Sequence, residues 1–339
     1  MISDAFTPIA AGREPVAYDI AERIANLERY EAEKVDSGAI PRLIAYERKS
    51  RRGESAITLE AIGLDAAVAE AIMMRVALSI ADDEGMPGAC ICVNTVGDKE
   101  SSQDYERALG TYMRRHGQHI PEAVKELVKV SPYHLPLTKF ESERLRAEPP
   151  KTMSYLSEQA RKHFAEVMEY IESFSVPYSI DHTLIGIPGI TSHTIFEIAA
   201  EDGRTVAHGF RYSRLARKLG GKRDVPALSM TIRLSGGKER PKKPLPKPRF
   251  YLVQLGFGAK AESMHVIDML RKARITVGHA LAKDRLQSQI ATAENQGFSH
   301  ILIIGQKEAY ERSVVVRDSE TRAQECVPME RLVAYLKGL

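Results

Sequence analysis

Apolar residues recur at helical spacing over residues 15–34, where Val16, Ile20, Ile24 and Leu27 form one stripe among charges, so the spacing predicts an amphipathic helix. Between Arg42 and Gly63 two short apolar runs, Leu43–Tyr46 and Ala56–Ile62, flank the basic loop Arg48–Gly53 and read as strand, loop, strand. Asp65 is expected to cap the next helix, with Val68, Ile72, Val76 and Ile80 turned inward and Gly85 just past its end. Residues 89–94 form a short buried strand in this reading. Residues 99–173 are mostly helical in pattern. Tyr105, Leu109 and Met113 share a face, and Pro121 opens a helix carrying Val124, Leu127 and Val128. Pro149 and Pro150 break the chain, and Phe164, Val167, Met168 and Ile171 then line one side of a helix within 155–174. Short strands are predicted around 177–181, 193–199, 205–210 and 227–234. Strands grouped with strands, and helices with helices, argue an α+β fold rather than a wound parallel sheet.

The clearest break lies at residues 235–249, which hold four prolines and six Lys/Arg against one Glu. Such a segment builds no core and is kept extended by proline, so it reads as a linker. Beyond it strands (Tyr251–Leu255, Ile275–Gly278, Ile301–Ile304, Val314–Arg317) alternate with helices near 261–273 and 284–296, which predicts a small α/β domain with a parallel or mixed sheet.

Composition changes this picture little. The 339 residues suffice for two or three domains, and 43% hydrophobic with 27% charged content is ordinary for a soluble globular protein. A net charge of +3 implies no nucleic-acid partner by itself. Cys90 and Cys92 alternate and should share one face of a strand; with no Cys/His pair nearby they make a poor zinc site, and no metal is expected. The three cysteines suggest no disulfide framework, and no stretch has the length of a membrane span or the pattern of a signal peptide, so a cytoplasmic protein is expected.

Residues 178–198 resemble the histidyl-tRNA synthetase segment that reads L-V-R-G-L-D-Y-Y and then T-x-T-V-F-E-I: Asp181, Leu184, Thr194, Phe196, Glu197 and Ile198 fall in frame. The resemblance places Gly186 at the catalytic arginine, Gly189 at the aspartate, and Ile190 and Thr191 at two tyrosines. That arginine stabilises charge developing at an acyl-phosphate transition state, which glycine cannot do. Motif 3 should end G-L-E-R, but Arg233-Leu234-Ser235-Gly236 stands there, so Gly236 replaces the ATP-contacting arginine. Motif 2 lacks its aromatic and glutamine within Arg52–Ala56, although Glu60–Gly63 fits the following strand. Arg13–Ala17 resembles E-G-T-A-P-V-A, and motif 1 has no room before it. Asn94–Asp98 resembles the N-S-L-G-D that opens an inserted helical domain, and Arg211-Tyr212 resembles the run into motif 3.

Residues 250–338 resemble the anticodon-binding domain of class II aminoacyl-tRNA synthetases, through Leu255-Gly256, Leu270–Ala273, Gln289, Ala293, Ile303–Gly305, Lys307-Glu308, Val314–Asp318 and Gln324. Together these resemblances imply a class II synthetase-like antiparallel sheet from residues 1–98 and 174–235, a helical insertion at 99–173, a linker at 236–249, and an anticodon-binding-type α/β domain at 250–339.

Gly305 is read as a sharp turn after a buried strand, with Glu308, Arg312 and Arg317 clustered beside it to meet bases or phosphates; alternatively Glu308 and Arg317 pair with each other. Arg48, Arg51 and Arg52 form a second candidate RNA contact, and Arg211, Arg214, Arg217, Lys218, Lys222 and Arg223 add basic groups. His182, His193 and His208 fall in the former pocket region, His193 and His208 on strands. The resulting expectation is a catalytically degenerate, tRNA-binding paralogue with no cofactor, ATP entering only with retained catalysis. The alternatives are a regulatory subunit and a residual histidine–tRNA ligase. A protein partner such as a full-length synthetase remains open.

Overall fold

The computed structural model describes residues 20–37, 41–49, 55–86, 88–130, 133, 149–234 and 247–339. The chain divides into two compact units between residues 237 and 238.

The first unit is built on strands β1 (Arg42–Lys49), β2 (Ser55–Ile62), β3 (Cys90–Thr95), β4 (Tyr178–Ile180), β5 (Ser192–Ala199), β6 (Thr205–Arg211) and β7 (Ala227–Leu234). They form one sheet in the order β1-β2-β7-β6-β5-β3-β4, antiparallel throughout except for the parallel pair β3 and β4. Its helices are α1 (Ile20–Ser37), α2 (Val68–Asp83), α3 (Lys99–His116), α4 (Glu122–Val130), α5 (Glu158–Ser173) and the short α6 (Leu215–Lys218).

Because side chains alternate along a strand, register decides what each side of the sheet presents. Glu60 pairs with Ser229, and Thr58 with Thr231, which in turn pairs with His208, so one side carries a polar belt. Helix α1 lies over that belt through hydrogen bonds from Arg23 to Ser229 and from Asn26 to Glu60. The opposite side, with Leu228, Met230 and Ile232, is covered by α2, and α5 packs on α2 and β5. The helices of residues 99–173 therefore belong to the first compact unit.

Two local expectations need correction. Asp65 does not cap α2: Ala67 occupies that position without a side-chain cap, and Asp65 stands 3.9 Å from Arg211. The inward stripe of α2 is Val68, Ala71, Met74 and Leu78, while Ile72, Val76 and Ile80 are half-buried, because the helix is held between the sheet and α5 and buries more than one face. Gly85 does follow the helix end, at φ +79.

The second unit contains β8 (Phe250–Gln254), α7 (Phe257–Lys272), β9 (Val277–His279), α8 (Leu286–Asn295), β10 (His300–Ile304), α9 (Gln306–Glu311), β11 (Ser313–Asp318), β12 (Gln324–Pro328) and α10 (Met329–Gly338). Its sheet runs β12-β11-β10-β8-β9, parallel from β10 to β9 and antiparallel at β11 and β12. Tyr251, Val253, Ala293, Phe298 and Ile301 form a core beneath α8. The sequence pattern did not anticipate α9, β12 or α10. Helix α9 buries no residue and β12 buries only Val327, so neither has an apolar period to read.

Candidate functional site

The turn around Gly186–Thr191 is closed on itself. Gly186 and Gly189 have φ of +71 and +74, which favour glycine. The Thr191 hydroxyl accepts from the Ile187 amide at 2.8 Å, and the Ile190 and Thr191 amides donate to the Ile187 carbonyl. A Cβ added at Gly186 would lie 2.4 Å from Thr191 Oγ1 and 3.0 Å from Ile195 Cδ1, so Thr191 occupies the space a longer residue would need. Leu184, Ile187 and Ile190 are buried in a core that also holds Leu27, Tyr30, Phe210, Tyr212 and Leu215. Aliphatic packing thus fills this part of the region.

On the polar side of the sheet the hub is Glu60, which is 1% exposed. Its Oε1 accepts from the Tyr46 hydroxyl at 2.7 Å, and its Oε2 accepts from Asn26 and Tyr212, both at 3.1 Å. Burial, followed by the bond to Glu60, pushes the Tyr46 phenol above its ordinary range, so it stays a donor. Arg23 stands 5.2 Å from the Phe210 ring centre and 6.0 Å from that of Tyr212, while donating to Ser229. Both Glu60 oxygens thus accept hydrogen bonds from within the chain.

The helix-covered side holds a second buried carboxylate, Glu70 of α2. Arg211 Nε donates to its Oε1 at 2.9 Å, Arg211 Nη2 pairs with its Oε2, and His163 Nε2 lies 2.7 Å from Oε1. Burial would raise Glu70, but Arg211 and His163 outweigh it and bring the carboxyl to about 2. His193 stacks on His163 with ring centres 4.9 Å apart, and burial followed by the charges of His163 and Arg211 lowers it to about 4. Arg211 therefore belongs to the core, contrary to the expectation that it adds to a basic surface. Its strand position was the missed signal: in β6, Ala207, Gly209 and Arg211 alternate onto the covered side. His208 projects to the polar side, buried and lowered to about 3 by burial and then by Arg23 and Arg233.

In the second unit Gly305 precedes α9 at φ −101, so its backbone asks for no glycine. Its smallness matters instead. Glu308 Oε2 accepts from the Gly305 amide at 2.9 Å and would lie 2.8 Å from an added Cβ. Glu308, at the third helical position, thus reaches back to the amide of the N-cap Gly305. Arg317 does not join it. Arg317 pairs with Ile301 across the sheet, toward the other end of β10, and its side chain approaches Glu294 at 3.7 Å. The Gly305 end is marked by an exposed aromatic residue that the sequence reading did not select, Tyr310, at 91% exposure. Arg312 ends α9 in the left-handed region, at φ +51.

Arg51, Arg52 and Gly236 lie outside the described residues, as do residues 13–17 and most of the linker, and Arg48 is described only as the β1 partner of Ala56. Among the described residues no group of three or more His, Cys, Asp or Glu could hold a metal ion, and no helix is long and apolar enough to cross a membrane.

An antiparallel sheet backed by helices, followed by a separate mixed α/β unit, fits a class II synthetase-like protein. Residues 250–339 match the anticodon binding domain family. Within that class the chain is similar to the histidine–tRNA ligase of Bacillus velezensis, at 28% identity over 292 residues covering 83% of this chain and 69% of that protein. It is likewise similar to that of Limosilactobacillus fermentum, at 27% over 309 residues covering 86% and 71%. The crystal structure of apo S. aureus histidyl-tRNA synthetase aligns with a TM-score of 0.48 at 18% identity, covering 91% of this chain and 80% of that one.

Proposed function

We propose that this protein binds tRNA and does not itself activate histidine, as a cytoplasmic paralogue of the histidine–tRNA ligases it resembles. The observation that carries the second half is the closed turn at Gly186: Thr191 and Ile195 occupy the space above it, and the aliphatic residues around it are core. A preorganised guanidinium is a large part of what such chemistry requires. The match of residues 250–339 to an anticodon binding domain supports the first half. The basic run Arg48, Arg51 and Arg52 supplies a second phosphate contact in this reading.

The test is equilibrium binding of the full chain to a panel of tRNAs across a salt series. Selective binding that persists at physiological salt supports the proposal. Weak, unselective binding that vanishes with salt contradicts it and turns attention to a protein partner. Replacing Arg48, Arg51 and Arg52 together is expected to weaken binding and flatten the salt slope; unchanged binding removes that loop from the proposal.

A further inference from the structure

Six cations lie between residues 211 and 223, and the fold sorts them. Arg211 is buried against Glu70, and Arg217 pairs with Asp224 at 3.1 Å. Arg214 and Lys218, one turn apart at α6, make no carboxylate contact among the described residues. Arg214 Nη1 is held by the Ser102 hydroxyl at 3.1 Å, which leaves the rest of its fork of donors uncommitted. Glu106, on α3, is taken up by the Tyr133 hydroxyl at 3.0 Å.

The Lys218 ammonium rests on the outside of the turn at Gly189. A Cβ there would stand 2.5 Å from Nζ and 3.1 Å from Cε, so any other residue would displace the amine from this seat. Two like charges thus lie one helical turn apart beside a glycine turn, with no carboxylate contact to either among the described residues.

We propose that Arg214, Lys218 and the Gly189 turn form a binding site for a phosphate group. A fixed guanidinium supplies planar donors and the lysine a point charge, a combination suited to a phosphate monoester or a backbone phosphate. Partial desolvation of an otherwise exposed side chain, and then Arg214, lowers the Lys218 amine, and an anion bound between the two would relieve that repulsion. This site stands apart from the proposed tRNA reading, because a free nucleotide would satisfy it as well as RNA.

The test titrates the full chain with inorganic phosphate at constant ionic strength. It follows the melting temperature and the acylation rate of each lysine by mass spectrometry. Phosphate is expected to raise the melting temperature saturably and to protect Lys218 but not Lys222. Lys218→Gln and Arg214→Gln should each weaken the phosphate response by about tenfold, while Lys222→Gln leaves it unchanged. Lys218 acylation indifferent to phosphate, or a Lys218→Gln chain as responsive as the parent, overturns the site. ATP and a tRNA transcript identify the source: whichever protects Lys218 at the lower concentration carries the phosphate, and protection by neither overturns the proposal. A chain that ignores tRNA yet binds phosphate refutes the proposed function and keeps this site.

Discussion

The turn around Gly186 lies between β4 and β5 and the turn at Gly305 follows β10, and both depend on glycine for close approach. Gly186 admits Thr191 and lies in a region whose Leu184, Ile187 and Ile190 are buried. Gly305 admits the Glu308 carboxylate and leads into a helix that buries nothing, with Tyr310 left 91% exposed. The first arrangement is packed and the second presents a surface. Under the proposed function, the surface end would face RNA and the packed turn would lack the chemistry of the ligases.

Breaking the closed side should have the largest effect. Arg211→Ala leaves Glu70 buried without its main partner and is expected to cost about 3–5 kcal/mol in urea unfolding, whereas replacing both by apolar residues of similar volume should cost far less. A loss within experimental error for Arg211→Ala would mean that this pair does not hold the covered side together.

Gly186→Arg tests the turn directly. A side chain there must displace Thr191 and adopt a positive φ, so a loss of about 2–4 kcal/mol is expected, with no gain of histidine activation. A stable variant that activates histidine would mean that the pocket is dormant rather than filled.

Acid sharpens the same point. His193 is lowered to about 4 and His208 to about 3, so the unfolded chain binds protons that the folded chain refuses. Their contribution is fully present above the unfolded histidine value, about 6.5, and is lost as pH falls toward 4. The loss should be on the order of 2 kcal/mol for each ring by pH 4.5, and about twice that for the pair, read from unfolding curves at several pH values. Stability that stays flat from pH 7 to 4.5 would contradict the burial of these rings.

The open side should respond in binding rather than in stability. Tyr310→Ala is expected to shift unfolding by less than about 0.5 kcal/mol, while weakening tRNA binding by about 1 kcal/mol if its ring stacks on a base. Unchanged tRNA affinity would remove Tyr310 from the RNA surface.

Much of this was legible along the chain. The strands predicted around 193–199, 205–210 and 227–234 are β5, β6 and β7, and the division between units falls within the Pro- and Lys-rich run. What failed was three-dimensional. Asp65 has the chemistry of a cap, yet Arg211 is its neighbour in space. Arg211 reads as one more surface cation until β6 is placed against α2, where Glu70 waits in an otherwise apolar stretch. Arg317 and Glu308 are close in sequence and separated by the length of a strand, so their expected cluster dissolves once β10 and β11 are paired antiparallel. The hub at Glu60 had a partial signal in the fit of Glu60–Gly63, but its donors come from α1, β1 and the residue after β6, which no local pattern links.

The most direct measurement is histidine-dependent ATP–pyrophosphate exchange by the purified full chain, with an active histidine–tRNA ligase as the positive control. With the turn at Gly186 closed, exchange should stay at the level seen without histidine. Exchange that rises and saturates with histidine would contradict the central claim and restore the chain to the ligases it resembles.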